Sequence, residues 1–231
     1  MKRFWTDVSV EPEGEGWAIR LDGRPVRTPA RVPLSVPTKR LAEAIAAEWG
    51  PADEEIDPRA MPMTGLANAA IDRIATDKET FAAGLARYAE TDLACYRAET
   101  PQGLVERQAA RWDALLGWAR RRYDVDFGTT CGVTHVAQPA ATIERLAHAV
   151  EELDAFHLAG LSPLVTIGGS LLAALAALEK AMTADEAWDA VSLDERWQLE
   201  QWGSDAEAEA ALQNRRRDFL AAAQFLALLE S

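Results

Sequence analysis

Apolar residues recur at every second position over the first part of the chain, which predicts short strands. Trp17, Ile19 and Leu21 show this alternation most clearly. The Asp22-Gly23 pair that follows favours a tight hairpin turn, because both residues tolerate left-handed backbone angles. Four prolines between this pair and residue 38 indicate that the strands are short or lie at sheet edges.

From Thr38 onward the apolar period changes from two to about 3.6, which is typical of helices. A first helix is predicted to end after Trp49, and the acidic, proline-punctuated segment 53–62 that follows resembles a domain boundary. The predicted fold class is therefore α+β. We expect a small β-rich N-terminal domain with one helix over residues 1–60 and a multihelical C-terminal domain over residues 61–231.

Residues 155–178 contain no Asp, Glu, Lys or Arg and are the one segment that could be taken for a membrane span. We interpret them instead as buried helix, because Gly160, Pro163 and the Gly168-Gly169-Ser170 cluster interrupt the segment. Gly160 is predicted to end one helix, and Ser162 to begin the next. The glycine cluster would then lie inside that second helix and permit close packing.

The net charge of the chain excludes some kinds of binding partner. The 231 residues carry a net charge of −13, which argues against nucleic acid and against an anionic membrane surface. Cys95 and Cys131 are far apart, as expected in a reducing compartment, and the N-terminus shows neither a secretory signal nor a transit peptide. We therefore expect a cytoplasmic protein, monomeric when free. The histidines and cysteines show no metal-binding spacing, so no metal or other cofactor is expected.

The segment 88–99 groups polar residues where a helix ends, including Asp92, Tyr96 and Arg97. One interpretation is a polar cluster that binds a partner. The other is an internal ion-pair network that joins two helices. Breaking a buried pair costs about 3–5 kcal/mol under either interpretation, so loss of function alone would not distinguish them.

The segment 193–207 places several acidic residues around Trp202 at a junction of two helices. Ser192 and Glu195 have the spacing of a capping box, as do Thr183 and Glu186. Gly203 is predicted to end the first helix of the junction. Tryptophan surrounded by acids could anchor a basic or apolar partner, or it could belong to the core of a capped corner. The later run Arg215-Arg216-Arg217 is interpreted as a solvated helix face.

No catalytic motif is present in the sequence. There is no GxSxG elbow, no HExxH and no phosphate-binding loop. An enzyme is therefore not expected, although a hydrolase built from scattered carboxylates remains an alternative. A small adaptor for another client is a second alternative.

Taken together, several short motifs in fixed order resemble the ATP12 family, whose members are chaperones for assembly of the F1 sector of ATP synthase. The matching features are Phe4-Trp5, residues 21–29, Ala47-Glu48-Trp49, Met63-Thr64 with Asn68 and Asp72, Thr91-Asp92-Leu93 with Cys95-Tyr96-Arg97, Gln108, Trp112-Asp113, Trp118-Ala119, and Leu193 through Glu207 with Trp202-Gly203. They cover nearly the whole chain. Arg196 departs from the family pattern, in which three adjacent acids precede an aromatic residue, here Trp197.

The resemblance implies a β-rich N-terminal part, a helical C-terminal part, no cofactor and no catalysis. It also implies that the chain binds the unassembled alpha subunit and releases it when the beta subunit competes. Mitochondrial members carry a targeting extension that this sequence lacks, which suits a bacterial relative. The candidate client contacts form an acidic corner: Glu195, Glu200, Trp202, Asp205 and Glu207. Asp92, Tyr96 and Arg97 are instead expected to hold helices together.

Overall fold

The computed structural model describes residues 5–50, 56–203 and 206–230, and it shows strands near the N-terminus followed by many helices. The strands are β1 (Val8–Glu13), β2 (Gly16–Leu21), β3 (Arg24–Pro25), β4 (Ser35–Val36), β5 (Tyr96–Arg97) and β6 (Thr130–Cys131). The α-helices are α1 (Lys39–Trp49), α2 (Pro62–Ala69), α3 (Lys78–Ala86), α4 (Gln102–Gln108), α5 (Ala114–Tyr123), α6 (Ala140–Glu151), α7 (Ala155–Gly168), α8 (Leu171–Leu178), α9 (Ala184–Val191), α10 (Leu193–Trp202) and α11 (Ala206–Leu228). Two π-helical turns, Ala70–Ile74 and Ala109–Asp113, follow α2 and α4, and 3₁₀ turns occur at Pro58–Ala60, Arg87–Thr91 and Leu93–Cys95. The predicted α+β class is confirmed.

The N-terminal strands form an antiparallel sheet around β2. Strand β1 pairs with β2 in the register Val8 opposite Leu21, and both β3 and β4 also pair with β2. The turn between β2 and β3 is the predicted Asp22-Gly23 hairpin, whose φ angles are 48° and 76°. Ile19 and Leu21 on β2 are buried as the alternation predicts, whereas Trp17 is half-buried and Ala18, on the opposite face, is buried as well.

Contacts divide the chain into two compact units. The first contains described residues of 1–78, 154–160 and 224–231, and the second contains those of 79–153 and 161–223. The domain boundary predicted near residue 60 would separate two parts that each fold independently. Contacts within the folded chain do not test independent folding, so this boundary stays a prediction.

Within the first unit, a carboxylate at the end of α1 caps the start of α2. Glu48 accepts hydrogen bonds from the backbone N–H groups of Met63 at 2.7 Å and Thr64 at 2.8 Å, and from the Thr64 hydroxyl at 2.6 Å. These N–H groups belong to the first turn of a helix and have no partner within it. Next to this cap, the Trp5 indole donates to the Trp49 carbonyl at 3.2 Å. One short motif thus holds α1, α2 and the N-terminal segment together.

The predicted helix end at Gly160 is wrong, because α7 continues through both Gly160 and Pro163. A Cβ atom on Gly160 would lie 2.6 Å from the Leu226 side chain and 3.1 Å from that of Phe225. Gly160 is therefore a packing residue rather than a terminator. The sequence does not distinguish these two uses of glycine, since both occur next to apolar residues.

The predicted helix start at Ser162 is also wrong, and the glycine cluster separates two helices instead of lying inside one. Helix α7 ends at Gly168, Gly169 has a left-handed φ of 66°, and the Ser170 hydroxyl caps α8 by accepting from Ala173 N–H at 3.0 Å. Gly168 does allow close packing, because a Cβ there would lie 3.1 Å from Val191. In the described part of the chain, no helix is both long and apolar enough to cross a membrane.

We expect Gly160→Ala to lower the free energy of unfolding by about 1–3 kcal/mol, because the added methyl group overlaps Leu226. Denaturant unfolding of purified protein measures this change. Gly84→Ala is the matched control: it lies in α3 with nothing within 4 Å of its Cβ position, and it should raise stability by about 0.5–1 kcal/mol. Equal effects of the two substitutions would contradict the packing role of Gly160.

Candidate functional site

Asp92 is a completely buried carboxylate that lies between two 3₁₀ turns. One oxygen accepts from Ala94 N–H at 3.0 Å and from the Ser170 hydroxyl at 2.9 Å, and the other accepts from Leu172 N–H at 3.0 Å. Burial raises the pKa of Asp92 to about 6, although its hydrogen bonds act in the opposite direction. The carboxylate thus caps the turn at 93–95 and the first turn of α8 at the same time.

This geometry does not favour the hydrolase alternative. A catalytic carboxylate must reach a substrate, whereas Asp92 has no exposed surface and its oxygens are engaged by internal donors. Among the described residues, no group of three or more His, Cys, Asp and Glu side chains could hold a metal ion. The raised pKa of Asp92 therefore reflects burial in the core and not a reactive cleft.

Tyr96 and Arg97 do not join the hydrogen bonds of Asp92. Arg97 Nη2 lies 2.9 Å from Asp113 Oδ1, at an angle that makes the contact an ion pair rather than a hydrogen bond. The Tyr96 hydroxyl lies 3.3 Å from His135 Nδ1. The three predicted residues therefore contact different partners within the second unit, and Arg97 is linked to Asp92 only through Ala94, whose carbonyl accepts from Arg97 Nε at 2.8 Å and whose N–H donates to Asp92. Its role in holding helices together stays a prediction.

The acidic corner lies where α10 ends. Glu195 and Glu200 are on α10, Glu207 is exposed in the first turn of α11, and Trp202 is the last residue of α10. Asp205 lies outside the described residues. Trp202 is 79% exposed, so the interpretation of this tryptophan as core is wrong. The structure thus leaves a large aromatic side chain in solvent two positions after Glu200.

Glu195 is not part of a capping box. The Ser192 hydroxyl donates to a carbonyl oxygen of α9 at 2.7 Å, and Glu195 instead forms an ion pair with Arg215. The Ser192 side chain therefore turns back toward the preceding helix and does not cap α10. The box predicted at Thr183 and Glu186 is confirmed at the start of α9.

Glu200 has a partner that sequence analysis missed. Arg107 on α4 places Nη1 2.6 Å from the Glu200 carboxylate, and its guanidinium lies 4.6 Å from the centre of the Trp197 ring. A Cβ on Gly103 would lie 2.8 Å from Trp197, so this glycine lets the tryptophan lie against α4. Arg107 and Glu200 are 93 positions apart, and no local spacing could have linked them.

The comparisons with known proteins agree on one family. A family model described as ATP12 chaperone protein matches residues 2–120. The chain belongs to the ATP12 chaperone family. The crystal structure of Atp12 from Paracoccus denitrificans is 41% identical, with a TM-score of 0.94 over 99% of this chain and 98% of that one.

Two further relatives support the assignment to the ATP12 family. A protein of Agrobacterium tumefaciens, described as a candidate chaperone, has a TM-score of 0.94 and 39% identity over 99% of this chain and 86% of that one. The mitochondrial protein atp12 of Schizosaccharomyces pombe is 26% identical over 215 residues, which are 88% of this chain and 74% of the relative.

Several ATP12 motif residues noted in the sequence now have a structural position. Glu48, Thr64 and Asp92 contribute to helix caps, and Asp72 accepts from Ala30 N–H at 2.9 Å. Gln108 is buried and donates from its amide to Asp194 at 2.7 Å. Phe4, from the opening motif, lies outside the described residues. Much of the family signature is thus a set of polar contacts that join distant segments.

We expect Asp92→Asn to remove a pH dependence of stability. Between pH 4 and pH 6 the folded protein keeps a proton on Asp92 that the unfolded chain has released, so the wild type loses stability as the pH rises. As the pH rises from 4 to 6, the wild type should therefore lose up to about 3 kcal/mol of unfolding free energy relative to the variant. Denaturant titrations at a series of pH values measure this difference.

Asp126→Asn is the control for this experiment, because the Asp126 side chain is 89% exposed. Its stability should follow that of the wild type across the same pH window. If the free energies of unfolding of the wild type and of Asp92→Asn changed in parallel with pH, Asp92 would have the same pKa in the folded and unfolded chains, which would contradict the prediction.

Proposed function

We propose that this protein is a non-enzymatic assembly chaperone for ATP synthase that binds the unassembled alpha subunit of the F1 sector. Membership of the ATP12 family and the 0.94 TM-score to Atp12 of Paracoccus denitrificans support this proposal. We further propose that it acts as a monomer in the cytoplasm. An unassembled subunit exposes the surface meant for its neighbours, and apolar patches above a few hundred Å² promote aggregation.

The observation that carries the proposal is the exposed Trp202 at the acidic corner. Trp202 is the aromatic residue among the exposed large hydrophobic side chains of the described residues, and tryptophan is enriched among the residues that contribute most to binding. Glu195 and Glu200 lie on the same helix as Trp202, although the residues directly beside it, three and four positions earlier, are Leu199 and Gln198. A partner surface that combines an apolar pocket for Trp202 with basic side chains for the glutamates suits this corner. Such a partner would bury Trp202 and pair with Glu200.

The ion pairs at the corner suggest how binding could stay reversible. Glu200 pairs with Arg107 and Glu195 with Arg215, and all four side chains are between 43% and 51% exposed. Pairs this exposed contribute about 0–1 kcal/mol, so a basic side chain of the client could replace either arginine at little cost. The client could then leave when its true neighbour offers a larger interface, with no need for hydrolysis.

The overall charge suits the same role. A net charge of −13 opposes association between chaperone molecules and keeps a complex with an aggregation-prone client in solution. It also favours clients whose exposed surface is basic.

We expect Glu200→Lys to abolish suppression of alpha-subunit aggregation, measured by light scattering, while the melting temperature stays within a few degrees of the wild type. The exposed pair with Arg107 contributes too little to change the fold. Glu144→Lys, at an exposed position of α6, makes the same charge change and should keep full activity. Equal activity of Glu200→Lys and Glu144→Lys would remove Glu200 from the mechanism.

A double variant separates direct contact from loss of the ion pair. Arg107→Glu combined with Glu200→Lys restores an ion pair of reversed polarity at the same place. If Glu200 contacts the client, the double variant stays inactive. Recovery of activity would mean that the pair itself, and not the carboxylate, is what the client requires.

We expect Trp202→Ala to weaken binding of the alpha subunit by about tenfold or more, because an aromatic anchor is lost. Its stability should change by less than about 0.5 kcal/mol, since the side chain is 79% exposed and fills no part of the core. Pull-down of refolded alpha subunit together with denaturant unfolding tests both expectations. Unchanged binding would show that the client contacts another face.

A further inference from the structure

A groove runs along one side of the helical stretch that comprises α4, the π turn Ala109–Asp113 and α5. It consists of two adjoining depressions of about 260 and 330 Å³, which share Ala110 and Arg111. Leu193 contributes an apolar side chain to the smaller one. The larger one is lined by Leu115, Trp118 and Met182. Apolar side chains therefore lie beside polar ones along the groove, and most of the apolar lining belongs to the larger depression.

The rim of this groove is basic on a protein that is strongly acidic. Four arginines line it against three acids, whereas the chain as a whole carries a net charge of −13. Two of the arginines are already paired: Arg107 with Glu200 and Arg196 with Asp189. Arg111 and Arg121 are exposed and form no ion pair with any residue that the structure describes.

The remaining acid of the groove does not neutralise these two arginines. Glu186 accepts from the backbone N–H of Thr183 at 2.8 Å and from its hydroxyl at 2.9 Å, which completes the capping box of α9. These hydrogen bonds are the main reason that the pKa of Glu186 is lowered, and Arg111 adds the smallest contribution. The carboxylate is therefore committed to the helix start, and the two guanidinium groups remain available.

The backbone is irregular where the two depressions meet. The π turn Ala109–Asp113 contains both shared residues, and Trp112 within it is buried, with its indole donating to the Ala190 carbonyl at 2.8 Å. A π turn is less stable than α-helix and is found most often at functional sites. Here it turns Trp112 inward while Ala110 and Arg111 line the groove.

We propose that this groove binds an acidic amphipathic helix of a partner protein, with its apolar face on the half-buried Trp118 and Met182 and its carboxylates on Arg111 and Arg121. The two arginines are ten positions apart, which corresponds to roughly 15 Å along the helix axis. Two carboxylates about eleven residues apart on one face of a partner helix would match that distance. Arginine suits this task because its planar guanidinium binds a carboxylate through two hydrogen bonds.

This surface shares Glu200 with the acidic corner but differs from it in chemistry. The corner offers carboxylates and a tryptophan to a basic partner surface, whereas the groove offers arginines to an acidic one. The inference therefore does not depend on the identity of the client. A failed test of the groove leaves the proposed role of Trp202 and Glu200 unchanged.

The test uses a fluorescein-labelled synthetic helix with two glutamates about eleven residues apart and leucines between them on the same face. Fluorescence anisotropy with the full chain should show saturable binding. The double variant Arg111→Glu/Arg121→Glu should weaken binding by about tenfold or more, since both carboxylates then face like charge. A peptide with lysines in place of the glutamates should not bind the wild type.

The matched control is Arg59→Glu/Arg217→Glu, which makes the same charge change at two exposed positions that do not line the groove. It should bind the acidic peptide as tightly as the wild type, and circular dichroism should show that both variants are folded. Equal weakening in the two double variants would overturn the proposal, because binding would then follow net charge alone. Displacement of the peptide by an equal concentration of single-stranded oligonucleotide or inorganic phosphate would also overturn it, because the groove would then select anions in general.

Discussion

A carboxylate with no exposed surface must find all its hydrogen-bond partners inside the protein, and Asp92 finds them at the starts of two helical segments. This requirement fixes where the turn at 93–95 and α8 lie within the second unit. Leu93 N–H donates to the Gly169 carbonyl at 3.1 Å, so the backbone on either side of the carboxylate is held as well. Loss of the carboxylate would leave buried donors unpaired, which usually costs more than a formed hydrogen bond contributes.

In the first unit, Glu48 caps a helix in the same way, by accepting from the backbone N–H groups at the start of α2. In each unit, a carboxylate from one segment caps a helix whose start lies well along the sequence, 15 positions away for Met63 and 80 for Leu172. Helix starts are natural sites for negative charge, because their free N–H groups and the helix dipole both favour it. The motifs Ala47-Glu48-Trp49 and Thr91-Asp92-Leu93 therefore specify tertiary contacts between distant segments. Such residues can characterise a family without being part of any active site.

The sequence patterns correctly predicted elements that are determined by residues close together in the sequence. The hairpin at Asp22-Gly23 and the capping box of Thr183 depend on residues within a few positions of one another, and both are present. One error involves a distant segment that no local pattern reveals. Gly160 lies inside α7 with the side chain of Leu226 packed against it. The error at Ser192 has a local cause, because its hydroxyl donates to the Trp188 carbonyl four positions earlier instead of capping α10.

The same limit applies to the candidate site, because the partners of Glu195 and Glu200 come from α11 and α4. Glu200 belongs both to the acidic corner and to the groove, and its partner Arg107 lines that groove as well. A basic group that takes Glu200 from Arg107 would add an unpaired guanidinium to a rim that already has two. Binding at the corner should then make the groove more attractive to an acidic segment. This coupling needs no change in the backbone, since the exchange of one ion pair is enough to redistribute the charge.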